Sequence, residues 1–184
     1  REFLKFFIEI NESRINNLKT IDDAMEKLGF TGVYEVSIGA DLCTIEEAED
    51  FLKKVPNQLK FMATSCCPSW SVMAKKEFPE FRDNISMALT PMVLTARLVK
   101  KKHPNAKVVF VGPCSAKKLE ASRKSVRSDV DFVLTFEELM GMFVAKKVDF
   151  NTLEERELKN ETSADGRGFA VSGGCLLYTS PSPR

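Results

Sequence analysis

The chain has 184 residues, 43% of them hydrophobic and 29% charged, and its 27 Lys and Arg against 26 Asp and Glu leave a formal charge of +1. That size and mixture suit one packed domain and exclude a disordered tail or a disulfide-dense mini-protein. Charge balance leaves no long-range field for nucleic acid or an anionic membrane, and no apolar run approaches the roughly 18–20 residues that span a bilayer. Ile15, Leu18, Ile21, Met25 and Leu28 recur at spacings of three and four, which predicts a helix closed by Gly29. Residues 33–38 alternate and are β-rich, so they read as a strand ending at Gly39. Thr44 with Glu47 makes a capping box for a helix to about Val55. Residues 59–64 read as a second short strand leading into Ser65-Cys66-Cys67-Pro68, followed by a helix over 72–78. Thr90-Pro91 opens another helix. Residues 108–111 are the most strongly strand-like in the chain and end in Gly112-Pro113-Cys114. A helix around 117–123, a strand at 132–135 and a helix opening with Thr135 and Glu138 complete the pattern.

Strands alternating with helices imply an α/β fold, a mostly parallel sheet with flanking helices. Ligands of such sheets bind beyond the carboxyl ends of the strands. The expectation is therefore that Cys66-Cys67-Pro68 and Pro113-Cys114 meet at one sheet edge. Residues 154–168 turn polar and read as a loop, and no internal repeat is present. Residues 175–184 fit neither period and look like translated sequencing adapter, so 1–174 is taken as the domain and the tail, Cys175 included, is set aside.

Residues 1–10 carry acids inside their apolar stretch and have no small-residue cleavage site, so they do not read as a signal peptide. Five cysteines in a chain without such a signal point to reduced thiols or metal ligands, and to a cytoplasmic protein. Thiolate is the soft ligand that iron–sulfur clusters and zinc select. Two neighbouring cysteines do not easily both bind one small metal centre, so one ligates and the other does something else. Each cysteine alone is equally readable as a small buried apolar group. The usual zinc spacings are absent, and His103 before Pro104 reads as a surface residue.

Thr64-Ser65-Cys66-Cys67-Pro68-Ser69-Trp70 and Pro113-Cys114-Ser115-Ala116-Lys117-Lys118-Leu119-Glu120 resemble the first two signature motifs of the iron-only (FeFe) hydrogenases. The likeness extends through Gly39-Ala40-Asp41, residues 130–135 and Ser172-Gly173-Gly174. It implies that Cys67 and Cys114 are ligands of the 4Fe–4S part of an H-cluster, and that Cys66 is the proton-donating thiol beside its diiron subsite. Lys117 matches the lysine that binds a cyanide of that subsite, with Ser65 and Pro113 also placed at the cofactor. Glu47, Asp50 and Ser86 fall where the family has its proton channel. The bland reading of the two acids is a capping residue and an exposed carboxylate. Trp70 and Glu120 match as structural parts of their motifs, Glu120 as one partner of a weak surface pair.

The resemblance implies reversible reduction of protons to hydrogen, a ferredoxin or similar electron carrier, hydrogenase maturation proteins, and neither nucleic-acid binding nor membrane insertion. The family's third motif, with the remaining cluster cysteines, does not occur in these residues, so a fragment is expected. Gly112 stands where catalytic members carry a methionine, which leans toward a sensory branch. Hydrogenase-like iron–sulfur assembly proteins are the other alternative, although they typically lose the thiol matching Cys66.

Overall fold

The structure is a computed structural model that describes residues 16–55, 57–156 and 164–169. The first helix, α1 (Asn16–Lys27), follows the expected spacing. Gly29 stops it with φ of 100°, a left-handed conformation that an L side chain rarely adopts, and its N–H bonds to the Glu26 carbonyl at 2.8 Å. Residues 33–38 form no strand, because helix α2 already begins at Ser37 and runs to Lys54. Gly39-Ala40-Asp41 therefore lies in a helical turn, and Thr44 and Glu47 sit in the helix interior rather than at its start. Tertiary packing overrides the local β pattern: a Cβ on Gly39 would stand 2.2 Å from the Pro91 carbonyl and 2.3 Å from Thr95 Oγ1. Only glycine lets α2 lie this close to α4 (Pro91–Lys102).

Residues 59–64 do not form the expected strand either. They make a single parallel bridge, Ala63 to Ile85, through Ala63 N–H to Asn84 O and Ser86 N–H to Ala63 O, both 2.8 Å. The Asn84 side chain takes the next carbonyl, that of Phe61, at 2.7 Å, so no ladder extends from the bridge. Helix α3 (Pro68–Glu77) and a 3-10 turn (Pro79–Asn84) lie between the bridge partners. The expected meeting of both cysteine motifs at one sheet edge thus loses its first strand.

The remaining elements match expectation closely. Strand β1 (Val109–Gly112), helix α5 (Ala116–Ala121) and strand β2 (Phe132–Thr135) form a parallel βαβ unit with two hydrogen-bonded strands. Thr135 then caps α6 (Phe136–Ala145) in the expected box: its Oγ1 accepts from Glu138 N–H at 3.3 Å, and Glu138 Oε2 accepts from Thr135 N–H at 2.8 Å. A 3-10 turn (Phe150–Thr152) follows. Part of the expected 154–168 loop is instead a short helix, α7 (Ala164–Gly168). The 175–184 tail lies outside the described residues.

Two compact units emerge. One takes residues 16–35, 111–115 and 134–156 and is built on Ala24, Met25, Leu139 and Phe143. Its Asp23 carboxylate accepts the Glu154 N–H at 3.0 Å and pairs with Lys27 and Arg156. The other takes residues 36–110, 116–133 and 164–169, with Met92, Val93, Ala96, Val126 and Val130 at its centre. There Asp131 accepts from Val108 N–H and pairs with Lys100 and Lys107. Burial works to raise its pKa, but these partners outweigh it and hold the carboxyl down at about 2. Among the described residues no helix is long and apolar enough to cross a membrane.

Candidate functional site

The second unit carries most of the site, beginning where the chain leaves the Ala63 bridge. Cys67 is the N-cap residue of α3, in extended conformation, and Pro68 fills the first helical position without leaving an unused N–H. Trp70 Nε1–H donates to the Thr64 carbonyl at 3.0 Å and staples this turn. The two adjacent thiols end up unlike each other. Cys67 is exposed, at a helix N-terminus that favours negative charge, while Cys66 is half-buried.

Glu47, on α2, is 1% exposed, and neither carboxyl oxygen makes a hydrogen bond of proper geometry. Burial raises its pKa; the Ser86 hydroxyl and the Ser65 N–H lie close enough to favour the anion, and they offset burial only in part. Ser86 is itself buried, and its Oγ accepts from Ala88 N–H at 3.1 Å. Glu47, Ser65 and Ser86 therefore lie together, whereas the resemblance groups Glu47 and Ser86 with Asp50 and puts Ser65 at the cofactor. Asp50 lies one turn along and is half-buried, its carboxylate 2.7 Å from Lys54 Nζ.

Sequence reasoning passed over Cys43. It sits one turn before Glu47 on the same helix, also 1% exposed, and burial above all, with Glu47 and Cys66 nearby, pushes its thiol far above the ordinary range. The spacing of four would have revealed it had α2 been placed from Ser37.

Lys117, on α5, donates from Nζ to the Cys66 carbonyl at 2.9 Å and to Glu120 Oε2 at 2.7 Å. Glu120 corrects the surface-pair expectation: it is 3% exposed, and its second oxygen accepts from Thr90 Oγ1. The penultimate glutamate of a short helix reads as solvated in sequence; only the packing of α5 against α3 and Thr90 buries it. His103 is exposed, as expected.

Cys114 belongs to the first unit, half-buried just after β1, with Pro113 exposed beside it and Gly112 buried as the last strand residue. Cys67 and Cys114 are both thiols outside any disulfide, the soft donor type of an iron–sulfur site. Among the described residues no three His, Cys, Asp or Glu side chains gather as a metal-holding group. In donor chemistry these cysteines fit as part of a cluster's ligand set.

Comparison with known proteins agrees with the motifs. Over 169 residues the chain is 33% identical to Iron hydrogenase 1 of Clostridium pasteurianum, covering 83% of this chain and 29% of that protein. It is 28% identical over 157 residues to the cytosolic Fe-S cluster assembly factor NAR1 of Kluyveromyces lactis, covering 85% of this chain and 32% of the other. The solved apo FeFe-hydrogenase HydA1 from Chlamydomonas reinhardtii superposes with a TM-score of 0.69 at 27% identity, over 80% of this chain and 42% of that one. The chain thus spans about a third of the length of the curated relatives named here. Residues 6–180 match the family profile of the iron-only hydrogenase large subunit, C-terminal domain, and the chain belongs to that family.

Proposed function

We propose that this chain is part of a catalytic H-cluster domain, and that the intact protein interconverts protons and electrons with molecular hydrogen. The observation that carries this reading is Glu47, a buried carboxyl whose oxygens make no hydrogen bond of proper geometry. Structural carboxylates are buried only when satisfied, so one left open is suited to taking and passing protons. Burial raises its pKa from the ordinary carboxylate value, which favours holding a proton.

In this reading Cys67 and Cys114 would be thiolate ligands of the 4Fe–4S cluster, and Lys117, Ser65 and Pro113 would help hold the diiron subsite. The bound H-cluster supplies the electrons and the metal centre at which hydrogen is formed or split. The chain's own residues handle the proton. Cys66 holds it on a half-buried thiol. Glu47 carries it through the interior beside Ser86, and Asp50, near the surface, exchanges it with solvent. Electrons come from a ferredoxin or similar carrier, maturation proteins load the cofactor, and the protein is cytoplasmic.

A second reading is the iron–sulfur assembly role of the NAR1 relatives. Cys66 together with Lys117 supports the hydrogenase reading, and buried Gly112 supports a sensory hydrogenase as its variant. The test uses the intact protein with its cofactor loaded. Glu47→Gln is expected to lower hydrogen evolution about a hundredfold or more, the usual weight of a positioned proton-transfer group, with iron content unchanged; Glu47→Asp is expected to keep part of the activity. Full activity in Glu47→Gln would remove Glu47 from the path, and no hydrogen evolution by the loaded wild type would favour the assembly role.

A further inference from the structure

Thr90 occupies the N-cap position of α4, where a threonine hydroxyl ordinarily accepts a backbone N–H of the first turn. Here it makes no such bond; Oγ1 donates instead to Glu120 Oε1. The other carboxylate oxygen of Glu120 receives Lys117 Nζ at 2.7 Å, with side-chain exposures of 14% for Lys117 and 3% for Glu120. Both oxygens are therefore committed, one to a residue outside α5. Lys117 in turn has two of its three N–H directions taken, by Glu120 and by the Cys66 carbonyl at 2.9 Å. A solvent-exposed ion pair fluctuates and contributes little. This one is enclosed, and a helix cap is given up for it.

We propose that Glu120 and Thr90 are positioning residues for Lys117. They fix its ammonium beside the Cys66 peptide and cancel its charge, so that its remaining N–H is offered to an anionic ligand as a directed hydrogen-bond donor rather than as a free cation. The proposal rests on the hydrogenase reading only for the identity of that ligand, a cyanide of the diiron subsite. The arrangement of the three side chains belongs to the chain itself.

The test is made on the cofactor-free chain, so that it fails or succeeds apart from the functional reading. Acetylation of Lys117 by a water-soluble N-hydroxysuccinimide ester is followed at one fixed pH by peptide mass spectrometry. Lys53, with 73% side-chain exposure, is the internal reference, and circular dichroism monitors the fold. Glu120→Gln is expected to speed Lys117 acetylation about tenfold or more, the factor carried by one charge-assisted hydrogen bond, and Glu120→Asp to recover part of the protection. Thr90→Val is expected to speed it about two- to threefold, near the low end of a single neutral hydrogen bond, while Thr90→Ser, which keeps the hydroxyl, behaves as wild type. Equal rates in wild type and Glu120→Gln would overturn the proposal. If Glu120→Gln does not fold, the near-isosteric Thr90→Val and Thr90→Ser pair decides, and equal rates in those two overturn it as well. A protected Lys117 in a protein that never yields hydrogen would leave this inference standing and remove the hydrogenase reading.

Discussion

Two glutamates are buried in the same unit to nearly the same degree, Glu120 at 3% exposure and Glu47 at 1%, yet their surroundings are opposite. Glu120 has an ammonium on one oxygen and a hydroxyl on the other. Glu47 has neither oxygen satisfied. Burial alone therefore says nothing about role; the partners do. A carboxylate with a donor on each oxygen is held in place and orients what it touches, whereas one left open changes partners at little structural cost.

The largest effect on stability is expected at the saturated site. Glu120→Ala leaves Lys117 enclosed without its counter-charge and Thr90 without its acceptor, and should cost about 3 kcal/mol in chemical denaturation. A loss below about 1 kcal/mol, the range of an exposed pair, would break the contrast. Glu47→Gln should behave oppositely. The folded-state pKa of Glu47 lies above its unfolded value, so the folded protein holds a proton that the unfolded chain gives up; stability falls as pH rises through that interval. Glu47→Gln should abolish this slope, matching wild type below the ordinary carboxylate range and exceeding it at neutral pH. Denaturation midpoints at pH 4 and pH 8 check it, and a variant that loses stability at both would mean that Glu47 is a structural anion after all. The smallest effect belongs to Asp50, whose pairing with Lys54 is partly solvated, with side-chain exposures of 28% and 39%. Asp50→Asn should change stability by only about 0.3–0.5 kcal/mol, sharpening the contrast with Glu120.

The same distinction explains what the sequence could and could not disclose. The strands at 109–112 and 132–135 and the capping box on α6 were legible because each is specified locally, by β-branched runs and by Thr135 with Glu138. Residues 33–38 misled because their alternation is short and the start of α2 is decided by Gly39 meeting Pro91 and Thr95, residues far away in sequence. The strand expected at 59–64 shrank to one bridge because Asn84 takes the Phe61 carbonyl with its side chain. Within the site, Glu47, Ser65 and Ser86 could each be named from the family resemblance, but the proximity of Ser65 to Glu47 could not. Glu120 could not be recognised as enclosed, since nothing in Lys117-Lys118-Leu119-Glu120 announces that a threonine thirty residues earlier will bond to it. Cys43 was hidden by the misplaced helix start.

The central claim is that the adjacent thiols divide the work, Cys67 holding the cluster and Cys66 holding the proton. Iron content and hydrogen evolution, measured together on Cys66→Ala and Cys67→Ala of the intact, cofactor-loaded protein, test it most directly. Cys67→Ala should lose iron along with activity, because removing a ligand destabilises the metal site itself. Cys66→Ala should keep its iron while hydrogen evolution falls about a hundredfold or more, and Cys66→Asp should restore a fraction of it. Loss of iron in Cys66→Ala with retention in Cys67→Ala, or full activity in Cys66→Ala, would contradict the account.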